Sequence, residues 1–225
     1  MAKILFKNFY KGILAGLAIG LGGFLYVLMV HFVPGEYGKI LGSILFSIGL
    51  FLVCTFMLSL YTGKIGIVYE GKQEKSFYIS LPIMLIGNAI GAFALGYACY
   101  FIFRNTEVIN TAINTAQIRT NLPNFEAYLV CALKSFLCGL CVYLAVKAFS
   151  LNRLKPIGIL LLVFFVFVFV YCGFQHCIAN MFYFGFANEM KWETLFNLLV
   201  CITFNSFGPI IGVLLVKLIK PNKES

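Results

Sequence analysis

Long apolar runs set the pattern of this chain. Charged residues gather at their edges and leave six stretches between them: 12–35, 40–63, 76–103, 127–146, 156–188 and 194–216. Only the fourth contains a charge, Lys134. A helix that crosses a bilayer needs about 20 apolar residues, and every stretch reaches that length. Strands of a membrane barrel would be about 9–11 residues of alternating polarity, and no such alternation runs through the sequence. The pattern predicts an all-α integral membrane protein with six transmembrane helices, a single domain over 1–225. The first stretch follows Lys3, Lys7 and Lys11 but runs too long for the apolar part of a signal peptide, so it reads as a retained helix.

Polar interruptions give the spans an internal order. Three-helix halves, 1–103 and 126–219, flank a polar external connection, 104–125. An odd number of spans per half makes the second copy inverted, a 3+3 repeat. Within the connection, Val108, Ile109, Ala112, Ile113 and Ala116 fall at helical spacing and predict a short surface helix. The second and fifth helices read as broken. In the second, Leu60-Tyr61-Thr62-Gly63-Lys64-Ile65-Gly66 sets two glycines and a charge near the end of an apolar run. In the fifth, Cys172-Gly173-Phe174-Gln175-His176-Cys177-Ile178-Ala179-Asn180 is a polar knot in the most apolar part of the chain. Broken backbone in lipid is tolerated only where it is buried in protein or lines a cavity. Breaks at matching places in two halves therefore point to a transport site. A weaker echo pairs Gly87-Asn88-Ala89-Ile90-Gly91 with Gly208-Pro209-Ile210-Ile211-Gly212, and Gly12, Gly16 and Gly20 form a row suited to close helix packing.

Composition narrows the class. Apolar residues make up 61% and charged residues 11%, against about 45–50% and about 25% in soluble domains. A soluble enzyme, a disordered tail and a DNA-binding domain are all poor readings. The formal charge of +9 mainly reports topology. With six spans, Lys3, Lys7, Lys11, Lys64, Lys72, Lys75, Lys147, Arg153, Lys155, Lys217, Lys220 and Lys223 share a side with both termini, and Lys39, Arg104, Arg119 and Lys191 lie on the other. The positive-inside rule then places both termini in the cytoplasm of a multi-pass protein of the cell's inner (plasma) membrane. The basic excess anchors to anionic lipid, and no nucleic-acid partner is expected. All 8 cysteines lie in apolar stretches, which favours packing over a disulfide framework. The Cys138–Cys141 pair has no second pair to complete a metal site, so no metal and no cofactor are expected.

His176 is the sharpest single residue. It sits at a predicted helix break, beside Gln175 and four residues before Asn180. An ionisable group inside a membrane is a functional candidate by default. In a dry interior a neutral imidazole still donates one N–H. Lys134, about eight residues into its helix, costs roughly 2.5–3.5 kcal/mol at a span's centre. It can snorkel outward, face a pore, or face another chain. Thr62 and Tyr61 bring hydroxyls and free backbone N–H groups to the first break, and exposed helix N-termini favour anions. Among the 25 Phe, a few can form apolar rings that close a pore by dewetting. The chain has no Asp, two His and no HExxH, which leaves an enzyme little to work with, so no enzyme is expected.

At these residues the chain resembles the formate/nitrite transporter family. Phe174-Gln175-His176-Cys177-Ile178-Ala179-Asn180-Met181-Phe182 looks like the family's F-E-H-S-I-A-N-M-F signature. Leu60-Tyr61-Thr62 looks like its L-F-T segment, Gly87 to Ala92 like its G-N-x-x-G-A, and Leu144-Ala145-Val146 like its L-A-V. The resemblance implies an aquaporin-like fold and a homopentamer with a pore in each protomer. It also implies passage of small monovalent anions such as formate, nitrite or hydrosulfide, in some cases with a proton. The family's central histidine maps onto His176, its threonine onto Thr62 and its signature asparagine onto Asn180. Its narrowing positions map onto Phe46, Leu50, Leu60, Tyr61 and Phe169. Departures exist: Gly139 stands where the fourth helix has asparagine, and the second glycine-asparagine pair reads Gly208-Pro209. The usual lysine before the fourth helix is absent, with Arg119 nearby and Lys134 deeper, and the amphipathic helix before the first span is nearly missing. A neutral-solute channel of the aquaporin or glycerol type is the competing reading, but it expects two Asn-Pro-Ala motifs and none occurs.

Overall fold

The computed structural model describes residues 1–152 and 155–219. The cytoplasmic assignments of Arg153, Lys220 and Lys223 lie outside the described residues. Among the described residues all regular structure is helical. Five helices are long and apolar enough to cross a membrane: α1 (Ala2–Phe32), α2 (Glu36–Thr55), a helix at Lys75–Phe103, one at Phe125–Leu151, and the nearly continuous Trp192–Leu218. Two short helices, α3 (Tyr61–Lys64) and α4 (Ile67–Glu70), lie between α2 and α5, the helix at Lys75–Phe103. Next come α6 (Val108–Thr120), α7 (Phe125–Leu151) and the shorter apolar pair α8 (Pro156–Tyr171) and α9 (Cys177–Ala187). The last span divides at Gly208 into α10 (Trp192–Phe207) and α11 (Pro209–Ile219).

Several expected elements form, and some are displaced. The first helix starts well before the apolar run, so Lys3, Lys7 and Lys11 occupy its opening turns. The polar connection at 104–125 does hold a helix, and Val108, Ala112 and Ala116 of the expected set are buried on it. The fifth stretch breaks where its polar knot lies, with Gly173 at φ 66° between α8 and α9. In the second stretch the break comes earlier than its glycines. Helix α2 ends at Thr55, Met57 turns the backbone at φ 53°, and helix resumes at Tyr61. No glycine or proline marks 56–60, so local sequence carries no breaker signal there.

What holds the two breaks is a matched pair of asparagines. Asn88 of α5 accepts from the Tyr61 N–H (2.8 Å) and donates to the Gly12 and Ser59 carbonyls (2.8 and 2.9 Å). Asn205 of α10 accepts from the Cys177 N–H (2.9 Å) and donates to the Ser135 and Gln175 carbonyls (2.7 and 2.8 Å). Each amide caps the start of a short helix, satisfies a carbonyl of the unwound segment, and ties both to a long helix, α1 for Asn88 and α7 for Asn205. Every one of these backbone groups is buried, where an unpaired amide or carbonyl costs about 1–3 kcal/mol.

The glycines repeat this correspondence. A methyl on Gly16 would overlap the Asn88 carbonyl oxygen, and one on Gly139 the Asn205 carbonyl oxygen. In return, Gly91 abuts the Ile13 carbonyl and Gly208 that of Phe136. Bare backbones thus let α1 lie on α5 and α7 on α10 at the distance the asparagines need. This corrects the echo drawn from sequence, which aligns Gly87 with Gly208. By contacts, Gly91 answers Gly208 and Asn88 answers Asn205, a shared Asn-x-x-Gly. The row of Gly12, Gly16 and Gly20 packs within the chain, the first two against α5 and Gly20 against Leu95 and Phe182.

Large apolar side chains point outward along the long helices, including Phe6, Ile86, Ile102, Leu133, Phe164 and Leu199. Buried glycine, alanine and polar residues line the contacts between helices. That is the inside-out economy of a helix bundle in lipid, where small residues and hydrogen bonds draw helices together. All 8 cysteines are free thiols. Glu70 of α4 pairs with Lys147 (2.8 Å) and accepts from the Tyr143 hydroxyl (3.0 Å), which fixes the short helices to α7.

Candidate functional site

His176 and Thr62 meet where the two breaks face each other. The His176 Nε2 lies 2.9 Å from the Thr62 Oγ1, and both side chains are almost wholly buried. His176 also caps α9, because its Nδ1 accepts from the Ala179 N–H (3.2 Å). An imidazole nitrogen that accepts carries no proton, so the neutral ring holds its hydrogen on Nε2 and donates it to Thr62. The threonine hydroxyl hydrogen then has no acceptor among the described residues.

The ring sits between apolar closures. Phe46 and Phe169 meet edge to face with centroids 5.7 Å apart, and Phe169 lies 5.9 Å from the His176 ring. The void beside them, shared with Arg119, Phe174, Asn180 and Tyr183, measures about 10 Å³, room for one water at most. Two turns further along α2, Val53 lines a depression of about 240 Å³ with Leu60, Gly63, Lys64, Val146 and Phe149. That step is about 10 Å along the helix, and buried Leu50 lies between. Phe46, Phe169, His176, Thr62, Leu50 and Leu60 thus form a file between the void and the depression.

Three expected residues stand apart from the file. Tyr61 turns its ring into a separate cluster with Leu81 and Met84, and its hydroxyl lies 2.8 Å from Ser206 Oγ. Ser206 gives its own hydrogen to the Ile202 carbonyl, so Tyr61 is the donor. Asn180 touches the void, but its amide is committed to Gln175 (2.7 Å) and Asn197 (2.9 Å) and its oxygen to Arg119 (3.2 Å). Lys134 is half-buried and lines a different depression, of about 310 Å³, beside Gln175, Asn121 and Glu126. The expectation that helix N-termini supply free N–H groups is only weakly met. The Tyr61, Cys177 and Ala179 N–H groups are all taken by side chains.

Sequence reasoning does not reach Asn205, and it notes Arg119 only as a cation near the place of the family's lysine. Arg119 reads as a loop charge, and nothing local shows that it folds inward. Asn205 had an available signal: a polar amide in an apolar span, three residues before a glycine, as in Asn88-Ala89-Ile90-Gly91.

Apolar helices with outward-facing side chains, wrapped around two capped breaks that meet at a histidine–threonine pair, make a multi-pass membrane transport protein. The chain belongs to the formate/nitrite transporter family, whose profile matches residues 2–220. It is 29% identical to the uncharacterized transporter YrhG of Bacillus subtilis, over 95% of this chain and 84% of that protein. It is 27% identical to the formate channel FocA of Haemophilus influenzae, over 79% of this chain and 65% of that protein. Its fold is similar to that of a pentameric formate channel with formate bound (TM-score 0.79, 22% identity, 96% of this chain and 98% of that one). A second solved structure, an FNT family ion channel, superposes at TM-score 0.75 with 19% identity, over 98% of this chain and 91% of that one.

Proposed function

We propose that the protein conducts small monovalent anions, formate or nitrite foremost and hydrosulfide by the same chemistry, through a pore in each chain that passes His176 and Thr62. The observation that carries this reading is the 2.9 Å contact between those two side chains at the meeting of the broken helices. A bare anion in hydrocarbon costs many kcal/mol unless donors surround it. A neutral imidazole that donates to Thr62 leaves the threonine hydroxyl hydrogen to offer to the anion. Phe46 and Phe169 on one side, Leu50 and Leu60 on the other, keep water and larger solutes out. Tyr61 narrows the passage indirectly, by setting the start of α3, and Asn180 braces the wall. Proton coupling requires a second proton at Nδ1, and the Ala179 N–H must turn away to admit it. Lys134 raises the local anion concentration at a mouth.

The wider reading has six spans, with α2–α4 as the second and α8–α9 as the fifth, in two inverted halves of one domain over 1–225. The matched bonds of Asn88 and Asn205 support the repeat. Both termini face the cytoplasm of the inner membrane, from the basic residues on that side. The assembly is a homopentamer bathed in lipid, in line with the pentameric relative.

The test is flux into proteoliposomes. Wild-type protein should admit formate and nitrite, and His176→Ala should lose most of that flux or its pH dependence. Equal flux with an equal pH profile would remove His176 from the mechanism. Stopped-flow light scattering with water and glycerol would expose a neutral-solute channel instead.

A further inference from the structure

We infer that Cys131 and Cys201 are an oxidisable dithiol, which a small peroxide reaching them through the depression beside Lys134 joins as a disulfide. The disulfide slows the pore, a consequence that rests on the anion-conduction reading above. Of the 8 cysteines, these two alone have side-chain hydrogen-bond partners among the described residues. Helices α7 and α10 lie side by side, with Gly139 against the Asn205 carbonyl. One turn back, Ser135 Oγ lies 3.4 Å from Cys201 Sγ. A further turn back, Asn197 Nδ2 lies 3.5 Å from Cys131 Sγ. Side chains lean towards the start of their helix, so Cys201 reaches back, and its Sγ lies 3.5 Å from Asn197 Oδ1. One amide thus touches both sulfurs, and the two thiols are within hydrogen-bonding reach of each other.

Cys201 is enclosed, but Cys131 lines the depression of about 310 Å³ together with Asn121, Glu126, Lys134 and Gln175. It stands about 9 Å along α7 from Phe125, at the end read above as external, where disulfides persist. Lys134 on the same wall supplies the positive charge that an attacking sulfur requires. The Cys131 sulfur attacks one oxygen of hydrogen peroxide, the O–O bond breaks, and water leaves with the thiol proton. The Cys201 sulfur then attacks the resulting sulfenic acid, the S–O bond breaks, and a second water leaves with the second proton. The two thiols lose two electrons, and the peroxide is reduced to two waters. Asn197 carries the change to the pore, because it also accepts from Asn180 (2.9 Å) and donates to the Arg119 carbonyl (2.8 Å). Both of those residues line the void of about 10 Å³ beside His176. Oxidation takes the Cys201 hydrogen from Asn197 and draws both sulfurs to bonding distance, so the amide they share moves. A void with room for one water at most has no slack, and the passage narrows.

The test treats wild-type proteoliposomes with hydrogen peroxide and follows two readouts. Peptide mass spectrometry without reduction should find Cys131 joined to Cys201, two hydrogens lighter than the free pair. Formate flux should fall severalfold and return with dithiothreitol. In Cys201→Ala, flux should ignore peroxide, and Cys131 should stop at the sulfenic acid, trapped by dimedone. Peroxide that leaves both thiols free, or that joins either one to a different cysteine, would overturn the site. A joined pair with unchanged flux, or an equal loss of flux in Cys201→Ala, would overturn its hold on the pore. Protein that forms the disulfide yet carries no formate even when reduced would leave the dithiol standing and refute conduction instead.

Discussion

At the scale of single residues, the site depends on side chains that hold backbone as much as on side chains that face a solute. His176 does both, since one ring nitrogen caps α9 and the other meets Thr62. Asn88 and Asn205 do only the first, and each satisfies three buried backbone groups. Asn205→Ala should therefore lower stability by about 2 kcal/mol or more, since it orphans the Cys177 N–H and the Gln175 carbonyl, at about 1–3 kcal/mol each. Asn88→Ala should do the same to a similar degree. Thermal unfolding in detergent reads both, and an unchanged midpoint for either would deny it the clamp. His176 was recognisable in sequence because an ionisable residue inside an apolar run is rare. Arg119 was not, because a charge in a connecting segment carries no mark of where its side chain will turn.

At the scale of helices, close approach of backbones decides where the clamps can reach. Gly16 and Gly139 each leave room for a carbonyl on the facing helix. Alanine there pushes backbone against backbone, and overpacking of that kind costs about 1–3 kcal/mol. Gly139→Ala and Gly16→Ala should lower the unfolding midpoint well beyond Gly20→Ala, whose added methyl meets only the Leu95 and Phe182 side chains. A Gly20 variant as damaged as the other two would show that backbone contact is not the determinant. The apolar stretches and the fifth break were legible from the placement of charges and from a polar knot, although the first helix begins well before its apolar run. The second break was misplaced, because Phe56 to Ser59 unwinds without a breaker residue. It does so because Asn88 and the N-terminal turn of α3 capture the chain, a tertiary cause.

At the scale of the whole molecule, the outward-facing apolar surface requires lipid or further copies of the chain. Native mass spectrometry from mild detergent should give a species of five times 25.1 kDa. A monomer under conditions that preserve the flux would remove the pentamer from the reading. The depression beside Lys134 and Gln175 lies apart from the file through His176. Lys134→Met should raise the half-saturating formate concentration and leave the oligomer intact; an unchanged concentration would take Lys134 away from the mouth.

Hydropathy alone determined that this chain lives in a bilayer, how many apolar runs it has, and that His176 is anomalous among them. Those properties are additive along the sequence, because each residue's transfer energy acts nearly independently of its distant neighbours. Tertiary structure decided which asparagines answer each other, where the second helix breaks, that Tyr61 turns away from the file, and that Arg119 turns into it. Each of these depends on a hydrogen bond or close contact between residues far apart in the chain, and so becomes visible only when the helices have packed.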